Sequence, residues 1–216
     1  MKQLLLYDLD GTLVDTLQDI TEAANHMRQR VGLTPKPAEE VRRYIGGGVQ
    51  ELVRQCLETE DAAAIDDGVE IYRAYYTRHL LDHSRLYPNA QQMLEYFKDR
   101  RQAVITNKPN PYSTQILEGL GVAKYFRDII GGNSGYPKKP DPAALMAVLS
   151  HQAVPSMDAV FIGDSPIDVE TGRRAGVLTA MVLHGFSDEA ELREAAPDLL
   201  VKDFEELLAQ AQRQRW

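Results

Sequence analysis

Two aspartates, Asp8 and Asp10, follow an apolar run near the start of the chain and are separated by a single residue. In an extended strand, residues i and i+2 lie on the same side, so we expect the two carboxylates to point the same way. Carboxylates this close repel each other unless one takes up a proton or a cation lies between them. Because oxygen-only ligand sets suit Mg²⁺, the pair predicts a magnesium site.

Polar residues follow a second apolar run, where Thr106 and Asn107 come after residues 103–105. A hydroxyl and free backbone N–H groups ahead of a helix form an anion site, although the same two residue types also make helix-capping turns. A third segment, Lys138–Pro142, contains two prolines that stiffen it, so a lysine there is held at low entropic cost. A lysine of this segment is a candidate anion ligand, and an exposed basic loop is the alternative interpretation.

A fourth polar group follows the apolar run 160–162. Asp164 lies where this strand is expected to end, in a position to reach the same cation as Asp8. Ser165 suits a helix N-cap because proline occupies the first helical position after it. Asp168 lies one turn further along and is a candidate for orienting a ligand or a metal-bound water. Ligands of open parallel sheets bind at the carboxyl ends of strands, so these groups predict one shared site.

Positioning these polar groups requires a sheet of buried parallel strands. Short apolar runs alternate with amphipathic helical patterns, and several runs are continuously apolar, as expected of strands covered on both faces. The runs are Gln3–Leu9, Gln102–Thr106, Asp128–Gly131, Ala159–Gly163, Leu178–Leu183 and Leu199–Val201. The repeated order of strand, helix and strand predicts an α/β fold with a doubly wound parallel sheet.

One segment, residues 16–82, breaks this alternation because it shows only helical periodicity. We predict a small all-helical cap over residues 16–82, inserted into an α/β core formed by residues 1–15 and 83–216. The insertion begins shortly after Asp8 and Asp10, and we therefore expect it to close over them.

The composition limits the range of functions. The chain has 216 residues and a formal net charge of −8, which argues against nucleic acid or an anionic membrane surface as a partner. No apolar run approaches the roughly 18 residues of a membrane span, and the first residues lack the regions of a signal peptide. The single cysteine, Cys56, cannot form an internal disulfide and suits a reducing compartment. We expect a cytoplasmic protein that is a monomer or a homodimer.

Together, the four polar groups resemble the motifs of the haloacid dehalogenase superfamily, in its aspartyl-phosphate phosphatase branch. The matching segments are Asp8–Thr16, Thr106–Pro109, Lys139–Pro142 and Gly163–Asp168 with Ala175 and Gly176. Their order and spacing are similar to the family's across nearly the whole chain, and the helical insertion resembles the family's small cap. Within the family, Tyr44–Gly48, Leu86–Pro88 and Gly131–Gly132 look most like phosphoglycolate phosphatases, with Asn89 in place of the usual glycine.

The resemblance implies a chemical role for each acidic residue. Asp8 is implied to be the nucleophile that forms an aspartyl-phosphate. Asp10 is implied to protonate the leaving alkoxide and then to deprotonate the attacking water. Mg²⁺ is implied to bind Asp8, the Asp10 carbonyl and Asp164, with Ser165 and Asp168 in supporting roles.

The resemblance also implies how the substrate is held. Thr106, the Asn107 N–H and Lys139 would bind the phosphoryl oxygens, and whether Lys138 shares the role of Lys139 is open. The cap would select the substrate, a small phosphorylated metabolite for which 2-phosphoglycolate is the best match. The cap residues implied in this selection are Arg42, Arg43, Gly46, Gly47 and Gly48.

Other functions are open at this point. Pyrophosphatases, phosphosugar phosphatases, phosphosugar mutases and hydrolytic dehalogenases belong to the same superfamily. Asp10 disfavours the dehalogenase, because that reaction needs no acid two residues after the nucleophile. A phospho-receiver domain of a signalling pair also arranges acids, threonine and lysine around Mg²⁺, but such a domain is much shorter and has no cap. A purely structural protein is disfavoured by the complete set of acidic and basic residues.

Overall fold

The computed structural model describes residues 1–216. The strands are β1 (Leu4–Tyr7), β2 (Val14–Asp15), β3 (Arg85–Leu86), β4 (Arg101–Ile105), β5 (Asp128–Ile130), β6 (Ala159–Gly163), β7 (Leu178–Val182) and β8 (Leu199–Val201). The helices are α1 (Leu17–Arg30), α2 (Ala38–Arg42), α3 (Val49–Leu57), α4 (Ala62–His79), α5 (Ala90–Tyr96), α6 (Tyr112–Gly119), α7 (Ala143–His151), α8 (Pro166–Ala175), α9 (Glu189–Ala195) and α10 (Phe204–Gln214). No helix combines the length and the apolar character needed to cross a membrane.

Six strands form one parallel sheet in the order β5-β4-β1-β6-β7-β8. Each corresponds to one of the six apolar runs, so the predicted doubly wound parallel sheet is confirmed. Alternate residues of β1 enter different cores: Leu5 and Tyr7 belong to a large cluster, and Leu4 and Leu6 to a smaller one with α7. The sheet is therefore buried on both faces, which explains why its strands read as unbroken apolar runs.

The first strand is shorter than its apolar run. β1 ends at Tyr7, and the next residues turn around Leu9, whose carbonyl accepts hydrogen bonds from three backbone N–H groups, those of Thr12, Leu13 and Val14. Leu9 is fully buried and still contributes to the core, which is why hydrophobicity alone extends the strand too far. The chain reverses here, so the strict alternation of strand side chains stops before Asp10.

Helices α1 to α4 form an insertion between β2 and β3, and no strand lies between residues 17 and 79. The two-residue strands β2 and β3 pair antiparallel where the chain leaves and re-enters the region of the sheet. Asp19, near the start of α1, accepts hydrogen bonds from the backbone N–H groups of His83 and Ser84 at 2.9 and 2.8 Å. The entry and exit of the insertion are therefore fastened together. Strands this short carry too few residues to be recognised from sequence.

Candidate active site

Three strand ends meet at one edge of the sheet. β1 lies between β4 and β6, with Tyr7 in register with Val104 and Ile162. The residues that come after these strands are Asp8, Thr106 and Asp164. The strand order reverses around β1, and such a reversal is where open α/β sheets bind their ligands.

An acidic cluster occupies this edge. Carboxylate oxygens of Asp8, Asp164 and Asp168 lie within 4.8 Å of one another, and all three residues are buried. Burial raises the pKa of Asp8 to about 6, although the nearby Lys139 ammonium opposes the rise. Burial, followed by repulsion from Asp168 and Asp8, raises the pKa of Asp164 well above its ordinary value. The cluster is therefore costly to keep ionised without a cation.

The donors of this cluster fit a divalent cation. Asp164 Oδ1 accepts a hydrogen bond from Thr12 Oγ1 at 2.7 Å, and its Oδ2 accepts one from Phe186 N at 2.7 Å. Asp8, in contrast, is held by no such neutral donor, and its buried Oδ1 lies 2.8 Å from the Lys139 ammonium. Three buried carboxylates this close together suit the oxygen-only coordination of Mg²⁺.

Lys139 is buried between two carboxylates. Its Nζ lies 2.6 Å from Asp168 Oδ1 and 2.8 Å from Asp8 Oδ1, and it forms an ion pair with each. Burial alone would lower the pKa of Lys139, but the charges of Asp168 and Asp8 outweigh burial and raise the pKa. Lys138 is exposed, and its Nζ lies 3.3 Å from Gly47 O. The positive charge beside Asp8 is therefore that of Lys139.

Asp168 holds Lys139 and caps α8 at the same time. Its Oδ2 accepts hydrogen bonds from Ser165 Oγ at 2.6 Å and from Ser165 N at 3.2 Å. Ser165 Oγ in turn accepts a hydrogen bond from Asp168 N at 3.3 Å, which completes a capping box at the start of the helix. Asp168 is fully buried and does not line the cavity described below. It therefore acts on the site through Lys139.

The carboxylate of Asp10 lies apart from the acidic cluster. Asp10 Oδ1 accepts hydrogen bonds from Thr16 Oγ1 at 2.7 Å and from Lys108 Nζ at 3.0 Å, and its Oδ2 lies 3.3 Å from the same Nζ. Asp8 and Asp10 thus have different partners, and the third carboxylate of the cluster is that of Asp168. Sequence reasoning missed Lys108, whose partner is 98 residues away in the chain.

Asn107 connects three parts of the chain. Its Nδ2 donates hydrogen bonds to Gly46 O at 2.8 Å and to Lys139 O at 3.0 Å, and its Oδ1 accepts one from Lys139 N at 2.8 Å. The backbone of Gly132 lies directly against Asn107, and a Cβ atom at position 132 would overlap the Asn107 carbonyl. The glycine allows this close approach. Thr106 Oγ1 accepts a hydrogen bond from Lys108 N at 3.2 Å.

A cavity of about 430 Å³ lies between this edge of the sheet and the helical insertion. Its lining on the sheet side includes the sequence-predicted residues Asp8, Asp10, Thr106, Asn107, Lys139, Asp164 and Ser165. Its lining on the insertion side includes Arg42, Arg43, Gly46 and Gly48, as well as Tyr72 and Tyr76. A volume of this size suits a small-molecule ligand. The insertion therefore covers the polar edge of the sheet.

Two of the insertion residues that the sequence suggested as substrate contacts are not available for that role. Arg42 Nη2 lies 2.6 Å from Asp188 Oδ1, so its charge is paired across the mouth of the cavity. Gly47 does not line the cavity, and a Cβ atom at this position would point at the side chain of Glu51. Arg43 is exposed at the cavity rim.

The segment 184–188, which follows β7, is a part of the site that sequence reasoning missed. Besides the Phe186 N–H on Asp164, it provides Gly185, where a Cβ atom would overlap the Asp164 carboxylate. His184 Nε2 lies 3.0 Å from Thr12 O, and its ring stacks on Tyr87 at a centroid distance of 4.1 Å. Burial lowers the pKa of His184. The one sequence signal for this segment is that it follows the apolar run Leu178–Leu183, since ligands of parallel sheets bind at the carboxyl ends of strands.

Known proteins share both the sequence pattern and the fold. Residues 5–182 match a family model described as haloacid dehalogenase-like hydrolase. A relative named phosphoglycolate phosphatase 1, from Pseudomonas aeruginosa, is 36% identical over 96% of this chain and 79% of its own length. A phosphoglycolate phosphatase from Vibrio parahaemolyticus is 31% identical over 95% of this chain and 94% of its own. The crystal structure of a predicted phosphoglycolate phosphatase from Haemophilus somnus superposes with a TM-score of 0.91 at 28% identity, covering 97% and 98% of the two chains.

Proposed function

The chain belongs to the haloacid dehalogenase-like hydrolases, and from this premise we propose that it hydrolyses 2-phosphoglycolate through an aspartyl-phosphate intermediate on Asp8. The reaction class, hydrolysis of a phosphoric monoester, follows from the family and its relatives. The substrate, the intermediate and the metal are the proposed parts.

One observation carries the choice of nucleophile. In the acidic cluster, both carboxylate oxygens of Asp164 and both of Asp168 accept hydrogen bonds. Asp8 differs, because its Oδ1 is ion-paired with the Lys139 ammonium at 2.8 Å, no protein N–H or O–H group bonds its second oxygen, and the residue lines the cavity. It is the carboxylate of the cluster that is free to form a new bond. Its attack on phosphorus would form a P–O bond while the ester P–O bond breaks, which splits a very slow hydrolysis into two displacements.

Asp10 is proposed as the acid and base. Its carboxylate lines the cavity outside the acidic cluster, so it is near Asp8 without being committed to the same cation. In the first step Asp10 would give a proton to the leaving alkoxide. In the second step it would take a proton from the water that attacks the aspartyl-phosphate, which releases inorganic phosphate and restores Asp8.

Asp8, Asp164 and the backbone carbonyl of Asp10 are the groups proposed to hold Mg²⁺. When bound, the ion supplies positive charge that lowers the repulsion between the carboxylates and the phosphoryl oxygens. Asp164 is prepared for this role by its hydrogen bonds from Thr12 and Phe186, which fix the orientation of its carboxylate.

The phosphoryl oxygens require further donors, for which we propose Thr106, Asn107 and Lys139. All three line the cavity, and the backbone N–H of Asn107 has no acceptor within the protein. Lys139 is held in place by Asp168, so its ammonium is positioned before substrate binds. Charge-assisted hydrogen bonds of this kind are about twice as strong as neutral ones, and they strengthen as charge develops during transfer.

We further propose that residues 16–82 form a cap on a core of residues 1–15 and 83–216. The antiparallel pair β2–β3 and the hydrogen bonds of Asp19 to residues 83 and 84 support two adjacent hinge points. Further polar contacts between the insertion and the core lie at the cavity, where Asn107 meets Gly46 and Arg42 meets Asp188. Closure of the cap would exclude bulk water during transfer.

The substrate is tested by measuring phosphate release from 2-phosphoglycolate, pyrophosphate and hexose phosphates by the purified protein with Mg²⁺. We expect the highest kcat/KM for 2-phosphoglycolate. We also expect Asp8→Asn to remain folded by circular dichroism and to lose turnover. A clear preference for pyrophosphate or a hexose phosphate would overturn the substrate, and steady-state hydrolysis by a verified Asp8→Asn preparation would overturn the nucleophile.

A further inference from the structure

The carboxylate of Asp10 is held by two donors that do not belong to the acidic cluster, Thr16 and Lys108. We propose that Lys108 is a positioning residue for the proton transfers of Asp10. Its ammonium holds this carboxylate at the cavity wall and leaves one carboxylate oxygen able to exchange protons. The proposal rests on the proposed function, because it takes Asp10 to be the acid and base. It gives Lys108 no contact with the substrate.

The two oxygens of the Asp10 carboxylate have different environments. Oδ1 accepts hydrogen bonds from Thr16 Oγ1 at 2.7 Å and from Lys108 Nζ at 3.0 Å. Oδ2 has a single contact, 3.3 Å from the same Nζ. An ionised carboxylate has about four lone-pair sites, so Oδ2 keeps the larger unused acceptor capacity. We therefore assign to Oδ2 the proton that is given to the alkoxide and later taken from water.

Lys108 is held in place along its whole length. Its backbone N–H donates to Thr106 Oγ1 at 3.2 Å, and its carbonyl accepts a hydrogen bond from Gly132 N at 3.0 Å. Its side chain is 6% exposed, and the Nζ lies 4.7 Å from the centroid of the Tyr76 ring. A lysine side chain is flexible in solvent, but burial and the cation–π contact restrict it here. Its ammonium is therefore a fixed point from which the Asp10 carboxylate can be oriented.

The two buried lysines of the site serve different carboxylates. Lys139 forms ion pairs with Asp8 and Asp168, whereas Lys108 forms one with Asp10. A cation bound by the acidic cluster would attract the Asp10 carboxylate, and a carboxylate committed to a metal cannot act as a base. The charge-assisted hydrogen bonds from Lys108 oppose this attraction. The ion pair with Lys108 therefore keeps Asp10 apart from the cluster and available for proton transfer.

The test measures Lys108→Met with two esters. For p-nitrophenyl phosphate, whose leaving group needs no proton, kcat/KM reports transfer to Asp8 and should not change. Its kcat should fall about tenfold to a hundredfold, with a burst of nitrophenol, because the attack of water is slowed. For 2-phosphoglycolate, kcat/KM should fall as well, since its alkoxide needs a proton. The matched control is Lys124→Met, at an exposed lysine whose Nζ lies 5.2 Å from the centroid of the Tyr125 ring, and it should behave as the parent.

A double variant tests whether Lys108 acts through Asp10. Two residues that act as a unit have non-additive effects, whereas independent residues have additive ones. Adding Lys108→Met to Asp10→Asn should therefore cause no further slowing of aspartyl-phosphate breakdown, followed by mass spectrometry of the quenched protein. The double variant also removes both charges of the ion pair, which costs less stability than removing one. It decides the question even if Lys108→Met alone does not fold.

The outcomes separate this proposal from the proposed function. A lower kcat for p-nitrophenyl phosphate at constant kcat/KM, with no added effect in the Asp10→Asn background, supports the positioning role. An unchanged kcat in folded Lys108→Met, an additive loss in the double variant, or an equal fall in kcat/KM for both esters would overturn it and leave the proposed function standing. Turnover of Asp10→Asn at the parent rate would overturn the proposed acid and base, and the positioning role with it.

Discussion

Lys139 and Asp168 form a buried ion pair in which Nζ lies 2.6 Å from Oδ1, and neither side chain is more than 4% exposed. The second oxygen of Asp168 belongs to the capping box of α8. One carboxylate therefore joins the start of a helix to the lysine that faces Asp8. This arrangement makes the lysine rigid, because the helix, the loop before it and the ammonium share one anchor.

The first prediction follows from this pair. Asp168→Ala leaves the Lys139 charge buried without its closest partner, and such a change destabilises proteins by about 3–5 kcal/mol. We expect a loss of this size in urea unfolding, and a lower kcat/KM for every phosphate ester tested, because Lys139 binds the group that all of them share. Asp67→Ala, at an exposed aspartate, is the control. Full stability in Asp168→Ala would contradict the anchoring role.

The second prediction concerns the separate position of Asp10. Asp10→Asn keeps the size of the side chain but removes the base for the second step. With p-nitrophenyl phosphate, whose leaving group needs no proton, we expect a stoichiometric burst of nitrophenol followed by turnover slowed about 10²–10⁴-fold. Rapid-mixing absorbance measurements and mass spectrometry of the quenched protein would detect the burst and the phosphorylated Asp8. Steady turnover at the parent rate would exclude Asp10 as the base.

The third prediction uses the acidic cluster. Because Asp8 and Asp164 are held close to a third carboxylate, Mg²⁺ should stabilise the fold as well as support activity. At a concentration about 100 times Kd, a ligand bound only by the folded state stabilises it by about 2.7 kcal/mol. We expect a rise in melting temperature with Mg²⁺ that is lost in Asp164→Ala, together with loss of activity after chelation. A control with K⁺ at equal ionic strength separates binding from screening.

Much of the site could be predicted from sequence because one geometric rule applies to it. Parallel strands end at a common edge, so polar residues after the runs at 103–105 and 160–162 had to come near Asp8. This rule predicts which backbone positions lie at the edge of the sheet, but it does not predict which side chains pair with each other there. Lys108 pairs with Asp10, 98 residues away, and nothing in the local sequence distinguishes it from an exposed lysine. The capping box of Ser165 and Asp168 is formed by residues close in sequence, and the sequence therefore predicts Ser165 as the N-cap.

The turn after β1 shows the opposite case. Alternation predicts that Asp8 and Asp10 share a direction, but the strand ends at Tyr7 and the chain folds back around Leu9. Hydrophobicity cannot locate this end, because Leu9 is buried in the core although it is outside the strand. The side chain of Asp10 is then set by Thr16 and Lys108, which are tertiary contacts.

The fourth prediction is a dependence of stability on pH. Burial lowers the pKa of His184 below its ordinary value of 6.5, so the unfolded chain binds the proton more tightly than the folded one. Its contribution to stability is complete above pH 6.5 and is lost as the pH falls below 6.5 and through the lower pKa of the folded state. The raised pKa values of Asp8 and Asp164 act in the opposite direction, so the measurement must be a difference between proteins.

His184→Gln isolates this contribution, because glutamine is neutral at every pH in the range. The free energy of urea unfolding, measured between pH 5 and 8, should decrease less on acidification in His184→Gln than in the parent. His151→Gln, at a side chain that is 76% exposed, should follow the parent. Equal slopes in all three proteins would show that His184 titrates normally.

The last prediction concerns the glycine turn at residues 46–48, which joins α2 to α3. Gly46 and Gly48 line the cavity, whereas Gly47 faces Glu51. Gly48 has a φ of +87°, a conformation that costs a non-glycine residue about 1–3 kcal/mol. A Cβ atom there would lie 2.7 Å from the flexible Lys138 Nζ and 3.3 Å from the fixed Asn107 O. Gly48→Ala should therefore displace the turn from Asn107 and raise KM for 2-phosphoglycolate about tenfold or more, since 1.4 kcal/mol is a factor of ten.

Gly47→Ala is the matched control for this prediction, because its new methyl group meets only the flexible side chain of Glu51. It should change KM little. Lys139→Ala should instead lower kcat/KM for all esters alike, because its charge acts on the phosphoryl group and not on the leaving group. The measurement is a set of KM values for 2-phosphoglycolate and p-nitrophenyl phosphate in the three variants. If Gly47→Ala and Gly48→Ala raise KM equally, the turn contributes through its flexibility rather than through the two residues at the cavity wall, and its role in selecting the leaving group is wrong.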